Sequence, residues 1–287
     1  MAARLVALPE VERLSPACIR ILAGNPGKFT LQGTNTYLLG SGSRRILIDT
    51  GEGMPSWATA LKATLEQENA TVDTVLISHW HRDHQGGIPQ LLELSPDSKI
   101  FKNRPEEAQS DIRDGQKFIV DGASLTAVFT PGHTVDHMSF VMEEEDAMFT
   151  ADNVLGQGTA VFEDLATYLD SLEKMRHLFK GRAYPGHGPV IEDGPSKIAE
   201  YINHRKTREE QVVRTLRTQR NSGEVHALDQ PDAWTPMELV KVIYHDVPEE
   251  LHVPACGGVM QILDKLEREE RASESNGRWA LKDRSSL

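Results

Sequence analysis

The sequence predicts an α+β fold, in which strands of sheet are covered by helices, followed by a smaller helical domain. Short apolar runs recur up to about residue 190, each closed by glycine, aspartate or histidine, and helical patterns lie between them. This mixture is typical of a sheet with helices packed on its faces. After about residue 195 helical patterns dominate and strands nearly disappear. We therefore expect one domain over residues 1–195 and a second over residues 196–287.

Five apolar runs in the first part are predicted to be strands. They are residues 45–48, 75–77, 127–129, 138–141 and 147–149. Each is short and bounded by turn-forming or polar residues, as strands of a buried sheet are. Two longer segments, 57–65 and 165–178, repeat apolar residues at helical spacing. In the second of them Leu165, Tyr168 and Leu172 fall on one face, so we expect an amphipathic helix there.

The second part contains a helix start with strong local signals. Thr235 is a preferred N-cap residue, Pro236 suits the first helical position, and Glu238 stands three residues after the cap. A second helical pattern follows, and Asn276–Gly277 then turns the chain into a short final run. Two helices followed by a hairpin resemble a winged-helix module, for which we expect a mainly structural role.

Composition limits the class of protein. The chain has 287 residues, 39% of them hydrophobic and 26% charged, with a formal net charge of −12, which disfavours general attraction to nucleic acid or anionic membranes. No apolar run approaches the roughly 20 residues that span a bilayer. Cys18 and Cys256 are too few and too far apart for a disulfide framework. We expect a soluble intracellular protein with no membrane partner and no obligate protein partner, and both a monomer and a homodimer stay open.

The strongest signal is a histidine-rich segment directly after the predicted strand 75–77. Residues 78–84 read Ser-His-Trp-His-Arg-Asp-His and contain potential metal ligands. These are His79, His81, Asp83 and His84. Because residues two apart in an extended chain point the same way, the first two can approach one cation together. The last two can reach a second cation as the backbone turns. Neutral imidazole and carboxylate are usual ligands of zinc.

Three further segments each end a predicted strand with a possible ligand. These ligands are His133, Asp152 and His187. Glycines beside both histidines let the backbone turn and present the side chains. A lone histidine in such a turn is usually structural, but here four segments agree, so we expect two zinc ions per chain with one shared carboxylate between them. The first ion is assigned His79, His81 and His133, the second Asp83, His84 and His187, and the shared carboxylate is Asp152.

The run His79–Trp80–His81–Arg82–Asp83–His84 resembles the His-x-His-x-Asp-His signature of the metallo-β-lactamase superfamily, and the later ligand segments follow in that family's order. The resemblance implies a four-layer αββα sandwich with the site at one edge of its two sheets, the same metal ligands, and a small helical C-terminal domain. Residues 30–38, 47–51 and 130–137 resemble more closely the superfamily's mitochondrial endoribonuclease branch, the beta-lactamase-like protein 2 family. The closer resemblance implies residence in the mitochondrial matrix and single-stranded RNA as substrate.

A pair of zinc ions favours hydrolysis, because it acidifies bound water and polarises the bond to be cleaved. Asp83 is the candidate catalytic base as well as a ligand. His137 is the second catalytic candidate, and it either donates a hydrogen bond to substrate or supports a ligand. Asp49 is expected to accept backbone N–H bonds that shape the histidine-rich segment. Asn35 and Thr36, in a glycine-flanked loop, are candidates for binding substrate, with turn hydrogen bonding as the alternative.

The ligand set predicts a reaction class but not a substrate. Residues 200–220 carry six cationic and three acidic side chains, a local reversal of the chain's charge that favours contact with RNA phosphates. Within this stretch His204, Arg205 and Arg208 are the candidate substrate-binding residues, and a solvated helix is the alternative. The prediction from sequence is therefore a zinc-dependent endoribonuclease that hydrolyses single-stranded RNA.

Two other hypotheses stay open. One is a thioester hydrolase resembling glyoxalase II and acting on a small acyl substrate, which the overall acidity of the chain favours. The other is a non-catalytic RNA-binding or scaffold protein that retains metal structurally. The intact ligand set argues against the second hypothesis, because a structural zinc rarely needs so many protein ligands.

Overall fold

Two β-sheets that pack against each other form the centre of the first part of the structure. The computed structural model describes residues 5–218, 233–246 and 248–282. The chain divides into two compact units, Met1–Tyr201 and Ile202–Leu287. The break between the units falls inside one long helix, slightly later than the boundary predicted at residue 195.

The first sheet has its strands in chain order. They are β1 (Val11–Ser15), β2 (Cys18–Leu22), β3 (Asn35–Leu39), β4 (Arg44–Ile48), β5 (Thr71–Ile77), β6 (Lys99–Lys102) and β7 (Ser110–Asp111). Strands β1 to β4 are antiparallel neighbours, whereas β4 to β7 run parallel. A parallel pair needs a crossover connection, and helices α1 (Pro55–Glu68), α2 (Arg82–Gln85) and α3 (Ile88–Leu94) lie in two of these connections.

The second sheet has the spatial order β12, β11, β10, β9, β8. Its strands are β8 (Lys117–Val120), β9 (Ala123–Phe129), β10 (Met138–Met142), β11 (Ala147–Ala151) and β12 (Ala183–Pro185). Only β12 joins its neighbour in parallel, and the connection to it carries helix α4 (Leu165–Met175). Helix α5 (Gly194–Arg217) follows the sheet.

The main hydrophobic core lies between the two sheets. Tyr37, Ile48 and Leu76 of the first sheet share a cluster of buried side chains with Phe140 and Phe149 of the second. The Tyr37 and Phe149 rings are 5.1 Å apart in an edge-on arrangement, which is a favoured geometry for an aromatic pair. Alternate residues of each strand therefore face this inner layer, as two stacked sheets require.

Helices cover the outer faces of both sheets. Trp57 and Leu61 of α1 and Leu91 of α3 are buried against Leu47 and Val75 of the first sheet. On the other side, Leu172 and Met175 of α4 are fully buried, and the Met175 Sδ lies 4.0 Å from the Ser139 Oγ on β10. The layers are therefore helix, sheet, sheet and helix, and the predicted α+β sandwich is confirmed.

The second unit contains helices α6 (Pro236–Ile243) and α7 (His252–Arg268) and the hairpin β13 (Ala272–Ser275) and β14 (Arg278–Leu281). The predicted capping box is present, because the Glu238 N–H donates to the Thr235 Oγ1 and the Thr235 N–H donates to the Glu238 carboxylate. Asn276 and Gly277 have φ of +53° and +74°, as the two central residues of a tight hairpin turn need. The order of helices and hairpin is that of a winged helix.

The predicted elements are present with somewhat different ends. The helix expected over 57–65 spans Pro55–Glu68, and the one expected over 165–178 ends at Met175. Strands were predicted only where apolar residues form a nearly continuous run. The prediction therefore missed β1, β2 and β3 at the start of the chain and β6, β7 and β8 farther on. Among the described helices, not one combines the length and the apolar composition needed to cross a membrane. Arg220, counted in the predicted basic stretch, lies outside the described residues.

The fold brings four strand ends to one edge. β9, β11 and β12 point the same way in the second sheet, because β10 lies antiparallel between the first two and β12 is parallel to β11. Their C-terminal ends and that of β5 lead into the segments that contain the predicted ligands. The position of the site at a sheet edge is thus a consequence of the strand order.

Candidate metal centre

The first ligand set lies at the ends of β5 and β9. The His79 Nε2 is 2.9 Å from the His81 Nδ1, and the His133 Nε2 is 3.1 Å from the same atom. The Asp152 Oδ2 is 3.6 Å from the His133 Nε2. One ligand atom from each of these four side chains lies within 4.8 Å of all the others.

The second ligand set is formed by Asp83, His84 and His187, which also present their ligand atoms within 4.8 Å of one another. The Asp83 Oδ2 is 3.3 Å from the His84 Nε2 and 3.3 Å from the His187 Nε2. Both histidines are buried. These three side chains come from α2 and from the end of β12, so the two sheets contribute jointly.

Asp152 connects the two sets. Its Oδ1 lies 3.4 Å from the His84 Nε2, and its Oδ2 lies 3.2 Å from the His187 Nε2 as well as near His133. The structure therefore places this carboxylate between the two sets, where the sequence predicted a shared ligand. All seven predicted ligands are brought together.

The spacing and the chemistry of the cluster fit a divalent cation. Ligand atoms lie about 2.0–2.1 Å from a tetrahedral zinc and therefore about 3.3 Å from each other, which is close to the separations in both sets. The His84 Nε2 and the Asp152 Oδ1 are buried without a hydrogen-bond partner among the described residues. Buried polar atoms without partners are rare unless an ion or water satisfies them. Imidazole and carboxylate are a donor set that suits such an ion.

Asp49 orients two of the ligands. Its Oδ1 accepts the Ser78 N–H at 2.8 Å, and its Oδ2 accepts the Ser78 hydroxyl at 2.8 Å and the His84 Nδ1–H at 2.7 Å. The Ser78 Oγ in turn lies 2.9 Å from the His79 Nδ1 and can accept a hydrogen bond from its N–H. With Nδ1 occupied in this way, each imidazole presents the lone pair of Nε2 to the cluster. Asp49 thus shapes the histidine-rich segment, as the sequence predicted.

The loop that contains His133 is held from two sides. The His133 Nδ1–H donates to the Val161 carbonyl at 2.8 Å. Farther along the loop, Asp136 forms a buried ion pair with Lys102 at 2.7 Å and accepts the Thr134 hydroxyl at 2.8 Å. Lys102 ends strand β6 of the first sheet, so this pair connects both sheets beside the site. A buried pair of this kind is strongly destabilised when only one partner is removed.

Two glycines allow the ligands to approach. Gly132 has φ of +134°, and a Cβ there would lie 2.4 Å from the Cα of Tyr168. A Cβ on Gly186 would lie 2.2 Å from the Asp152 Oδ1 and 3.1 Å from the His84 Cε1. Contacts this short do not occur for real Cβ atoms, so only glycine fits at either position.

The histidines of the cluster differ in the direction in which the protein shifts their pKa. Burial lowers the pKa of His79 well below its usual value, and the neighbouring His84 adds to this effect. Burial also lowers the pKa of His187, but the Asp152 and Asp83 carboxylates together outweigh burial and raise it to about 9. Burial likewise opposes protonation of His84, yet Asp152 and the other nearby carboxylates raise its pKa well above the usual value. Two ligands therefore hold protons that a metal ion must displace.

A cavity of about 450 Å³ opens beside the cluster. Its walls include five ligands and several apolar side chains. The apolar ones are Phe29, Leu31, Leu155, Ala160 and Val161. Asp83 reaches this cavity with its side chain 22% exposed, whereas the Asp152 side chain is only 11% exposed. The Thr34 hydroxyl donates to the Asp83 Oδ2 at 3.1 Å and accepts from the Asn25 amide at 3.0 Å, so this carboxylate is held while it remains accessible.

The predicted substrate-binding role of Asn35 and Thr36 needs correction, because neither side chain lines the cavity. Both are buried. The Asn35 amide donates to the Pro185 and Gly188 carbonyls, each at 2.9 Å. The Thr36 hydroxyl donates to a carbonyl of β2 and accepts from the Trp57 indole. Both residues therefore support the protein scaffold, and Asn35 holds the loop that carries His187.

His137 also differs from its predicted role at the substrate. It is fully buried and does not line the cavity. The Asn153 amide lies 3.2 Å from its Nδ1, and the Thr130 hydroxyl lies 3.0 Å from the same atom. Its ring is 5.3 Å from the ring of His79. The structure therefore favours the alternative that His137 packs behind the ligands.

The predicted basic contacts lie on α5 in the second unit. The Arg208 guanidinium lies 4.7 Å from the centroid of the Tyr244 ring and donates to the Gln211 side chain at 2.9 Å. His204 is exposed and Arg205 is half-buried. A substrate contact by these three residues stays a prediction.

Sequence reasoning missed Lys102, Asp136, Thr34 and Asn25. Lys102 ends β6 and Asp136 lies in the loop between β9 and β10. A charged residue that is buried only through a partner distant in sequence leaves no local pattern. Thr34 and Asn25 stand nine residues apart in a loop and meet only because the chain folds back on itself. The cavity wall was missed for the same reason, although the exposed aromatic Phe29 was a usable signal.

Replacing Asp49 with asparagine should weaken divalent metal binding by about 10- to 100-fold. The amide cannot accept from Ser78 and His84 in the way that the carboxylate does. A competition titration against a chromophoric chelator measures the affinity. Asp73→Asn is the matched control, because that carboxylate lies on β5 and faces Arg44 at 3.6 Å. Equal affinities of the two variants would contradict the orienting role.

Replacing Gly186 with alanine should reduce the metal content of the purified protein, because the new Cβ displaces Asp152 or His84. Gly258→Ala is the control: it lies in α7, where nothing comes within 4 Å of an added Cβ. The control should retain its metal and gain about 0.5–1 kcal/mol in unfolding free energy. Elemental analysis and thermal unfolding measure both effects. Full metal content in Gly186→Ala would show that Asp152 and His84 do not need the space that glycine leaves at this position.

Metal binding to protein stripped by a chelator should release protons at pH 7.5. His187 has a pKa of about 9, so it is protonated at this pH and must lose its proton to coordinate a metal. Calorimetric titrations in two buffers of different ionisation enthalpy measure the number released. The release should decrease as the pH rises through 9, and a binding enthalpy independent of the buffer would contradict the assignment.

Comparison with known proteins agrees with this geometry. A family model described as the metallo-beta-lactamase superfamily matches residues 29–101 and 97–187. Another, described as a beta-lactamase associated winged helix domain, matches residues 235–279. A beta-lactamase domain protein from Burkholderia ambifaria superposes with a TM-score of 0.77 at 16% identity, over 98% of this chain and 96% of its own. At that identity the likeness shows the fold alone.

Relatives in fungi are much more similar. A lactamase-like protein, adaB, of Aspergillus niger is 46% identical over 286 residues, which are 96% of this chain and 90% of that protein. A protein of Aspergillus chevalieri named atrochrysone carboxyl ACP thioesterase is 46% identical over 287 residues, 97% of this chain and 91% of its own.

These relatives correct the predicted function. The activity named for the Aspergillus chevalieri relative is that of a thioesterase, so the prediction of an RNA endonuclease is wrong. The expected closer resemblance to the mitochondrial endoribonucleases is not shown, and mitochondrial residence loses its support together with it. The ligand set and the superfamily do not depend on this correction. Because the family model covers more than half of the sequence and the fold assembles its ligand cluster, the chain belongs to the metallo-β-lactamase superfamily of hydrolases.

Proposed function

We propose that this protein is a zinc-dependent thioesterase that hydrolyses an acyl thioester carried by an acyl carrier protein. Water adds to the thioester carbonyl, the carbon–sulfur bond breaks, and the products are a carboxylic acid and the free thiol of the carrier. A thioester hydrolase is one of the alternatives that the sequence left open. The proposal differs from that alternative by adding a macromolecular carrier as the partner.

One observation carries the proposal: the cavity beside the ligand cluster has mainly apolar walls. Phe29, Leu155 and Val161 suit the hydrocarbon part of an acyl group. Among the described residues of its lining, Lys28 is the one basic side chain besides the ligand histidines. A nucleic-acid strand needs several cations to contact successive phosphates, so these walls fit an acyl group better than a phosphodiester chain.

The relatives support the same reaction. The thioesterase of Aspergillus chevalieri matches 97% of this chain, so its similarity extends over both units. An activity named for a relative at this level of identity favours the same bond type here. The ligand set alone does not distinguish thioesters from other electrophiles.

The side chains of the site indicate which group accepts the proton of water and whether a protein nucleophile takes part. Asp83 faces the cavity and can accept the proton of the attacking water, while the Thr34 hydroxyl holds its Oδ2. Cys18 is buried in the core and Cys256 lies in α7, and Ser78 is engaged with Asp49. Neither a cysteine nor a serine is among the described residues that line the cavity, which favours direct attack by water.

We propose zinc as the metal and two ions per chain, one for each ligand set. Five imidazoles and two carboxylates provide enough donors for two tetrahedral sites that share Asp152. Metal ions bound there supply Lewis acidity, which polarises the carbonyl and makes water more acidic. The oriented imidazoles of His79, His84 and His133 keep their lone pairs directed at those positions.

The purified, zinc-loaded protein should release thiol from an acyl carrier thioester and from an acyl N-acetylcysteamine thioester. It should leave a single-stranded RNA oligonucleotide intact under the same conditions. Asp83→Ala should lower the hydrolysis rate by at least about 100-fold, because it removes the proton acceptor. A thiol-reactive dye follows the reaction, and elemental analysis should find two zinc ions per chain.

Asp97→Ala is the matched control, since this carboxylate is exposed between α3 and β6. It should retain the full rate. Zinc-loaded protein that hydrolyses neither thioester would overturn the proposed function, and so would hydrolysis that persists unchanged in Asp83→Ala and after removal of the metal.

A further inference from the structure

The segment that includes Lys28 and Phe29 forms one wall of the cavity. Phe29 is 71% exposed, although an aromatic ring of this size is usually more buried. The Lys28 ammonium lies 5.5 Å from the centroid of the Phe29 ring. Within the described part of the chain it has no carboxylate partner. A cation that is held only by a weak contact with an exposed ring can turn to a ligand at little cost.

A second part of the cavity wall is formed by the segment that follows β11. This segment includes Leu155, Ala160 and Val161. Val161 is 61% exposed, yet its carbonyl accepts the Nδ1–H of the ligand His133 at 2.8 Å. This hydrogen bond ties the apolar wall to the ligand cluster. The wall is therefore placed at a defined position relative to the reacting centre.

The size of the cavity limits the substrate. A volume of about 450 Å³ lies in the lower part of the range for small-molecule sites and corresponds to a space about 10 Å across. Such a space accepts a compact acyl group of one or two rings.

The charge pattern of the lining is asymmetric. Its two carboxylates, Asp83 and Asp152, are directed at the ligand cluster, with oxygen atoms 3.2 to 3.4 Å from the His84 and His187 imidazoles. No carboxylate of the described residues forms an ion pair with Lys28. An anionic oxygen on a bound acyl group would therefore be attracted to the Lys28 ammonium at the cavity wall. The two carboxylates would repel it less, because they face the ligand imidazoles.

We propose that the acyl group hydrolysed at this site is compact and mainly apolar, and that it carries an anionic oxygen group that Lys28 binds. Phe29 and Val161 cover its apolar part. This inference rests on the proposed thioesterase function and adds the substrate class and the residue that selects it.

The anion could in principle belong to the acyl group or to the phosphate of the carrier's thiol arm. Lys28 lines the same small cavity as five of the ligands, so it belongs to the space that the acyl group would occupy. The phosphate of a phosphopantetheine arm is separated from its sulfur by a long flexible chain. The position of Lys28 therefore favours an anion on the acyl side, and substrates without a phosphate distinguish the two sources.

The test uses two N-acetylcysteamine thioesters of equal size, 4-carboxybenzoyl and the neutral 4-carbamoylbenzoyl, with zinc-loaded protein. The wild type should prefer the carboxylate by about fivefold in kcat/KM, as one accessible ion pair supports. Lys28→Met should abolish the preference, and Lys28→Glu should reverse it. Lys62→Met, an exposed lysine of α1, is the control and should keep the preference. Phe29→Ala should slow both substrates equally.

Binding of the matching non-hydrolysable thioethers, measured by calorimetry with the same proteins, keeps the inference testable on its own. If Lys28→Met loses the preference for the carboxylate thioether, the role of Lys28 in binding the anion is supported. If the zinc-loaded protein hydrolyses no thioester, only the proposed function is overturned. Hydrolysis of both thioesters with the same ratio in wild type and Lys28→Met would overturn the inference and leave the function standing. A Lys28→Met defect confined to carrier-bound or coenzyme A thioesters would assign the anion to the arm and also overturn it.

Discussion

The structure depends on one constraint, which is that seven polar side chains must meet in a largely buried space. Five imidazoles and two carboxylates converge there, and neither kind of group is stable in an apolar environment without partners. Cations that bind between them remove this penalty, and the rest of the local structure keeps the donors in place. The carbonyl that holds His133 and the carboxylate that holds His84 both leave an imidazole lone pair directed at the cluster. Gly186 has no side chain, so Asp152 can lie close to the backbone there, in the position of a ligand shared by both sets.

The two-sheet architecture makes this convergence possible. Ligands follow strand ends of both sheets, so the relative position of the sheets determines the spacing of the cluster. The two sheets share a buried apolar core, while the buried pair of Lys102 and Asp136 connects β6 to the loop that contains His133. A charged pair at this place is directional, whereas apolar packing is not. We regard it as the contact that holds the loop with His133 close to the end of β6.

The sequence predicted the part of the site that is encoded locally. Candidate ligands two residues apart in one segment, and histidines beside glycines at strand ends, leave recognisable patterns, and the structure brings all seven predicted positions together. Features that depend on distant partners were not. Asn35 and Thr36 looked like pocket residues because polar side chains near glycines suit either a turn or a ligand, and their carbonyl partners lie far away in sequence. The basic stretch misled for a related reason: Glu209 and Arg208, counted only as charges, are engaged with Lys265 and Tyr244.

The error in function has the same origin as the missed cavity wall. A ligand cluster of this kind activates water and polarises an electrophile whatever group is attached to it. The choice among thioester, lactam and phosphodiester therefore falls to the side chains around the cluster. These come from the Lys28–Phe29 segment and the segment after β11, which lie more than a hundred residues apart in sequence. Charge counted along the chain cannot describe a wall assembled in this way. Only the folded arrangement shows that the described lining of the cavity combines apolar side chains with a single lysine instead of a row of cations.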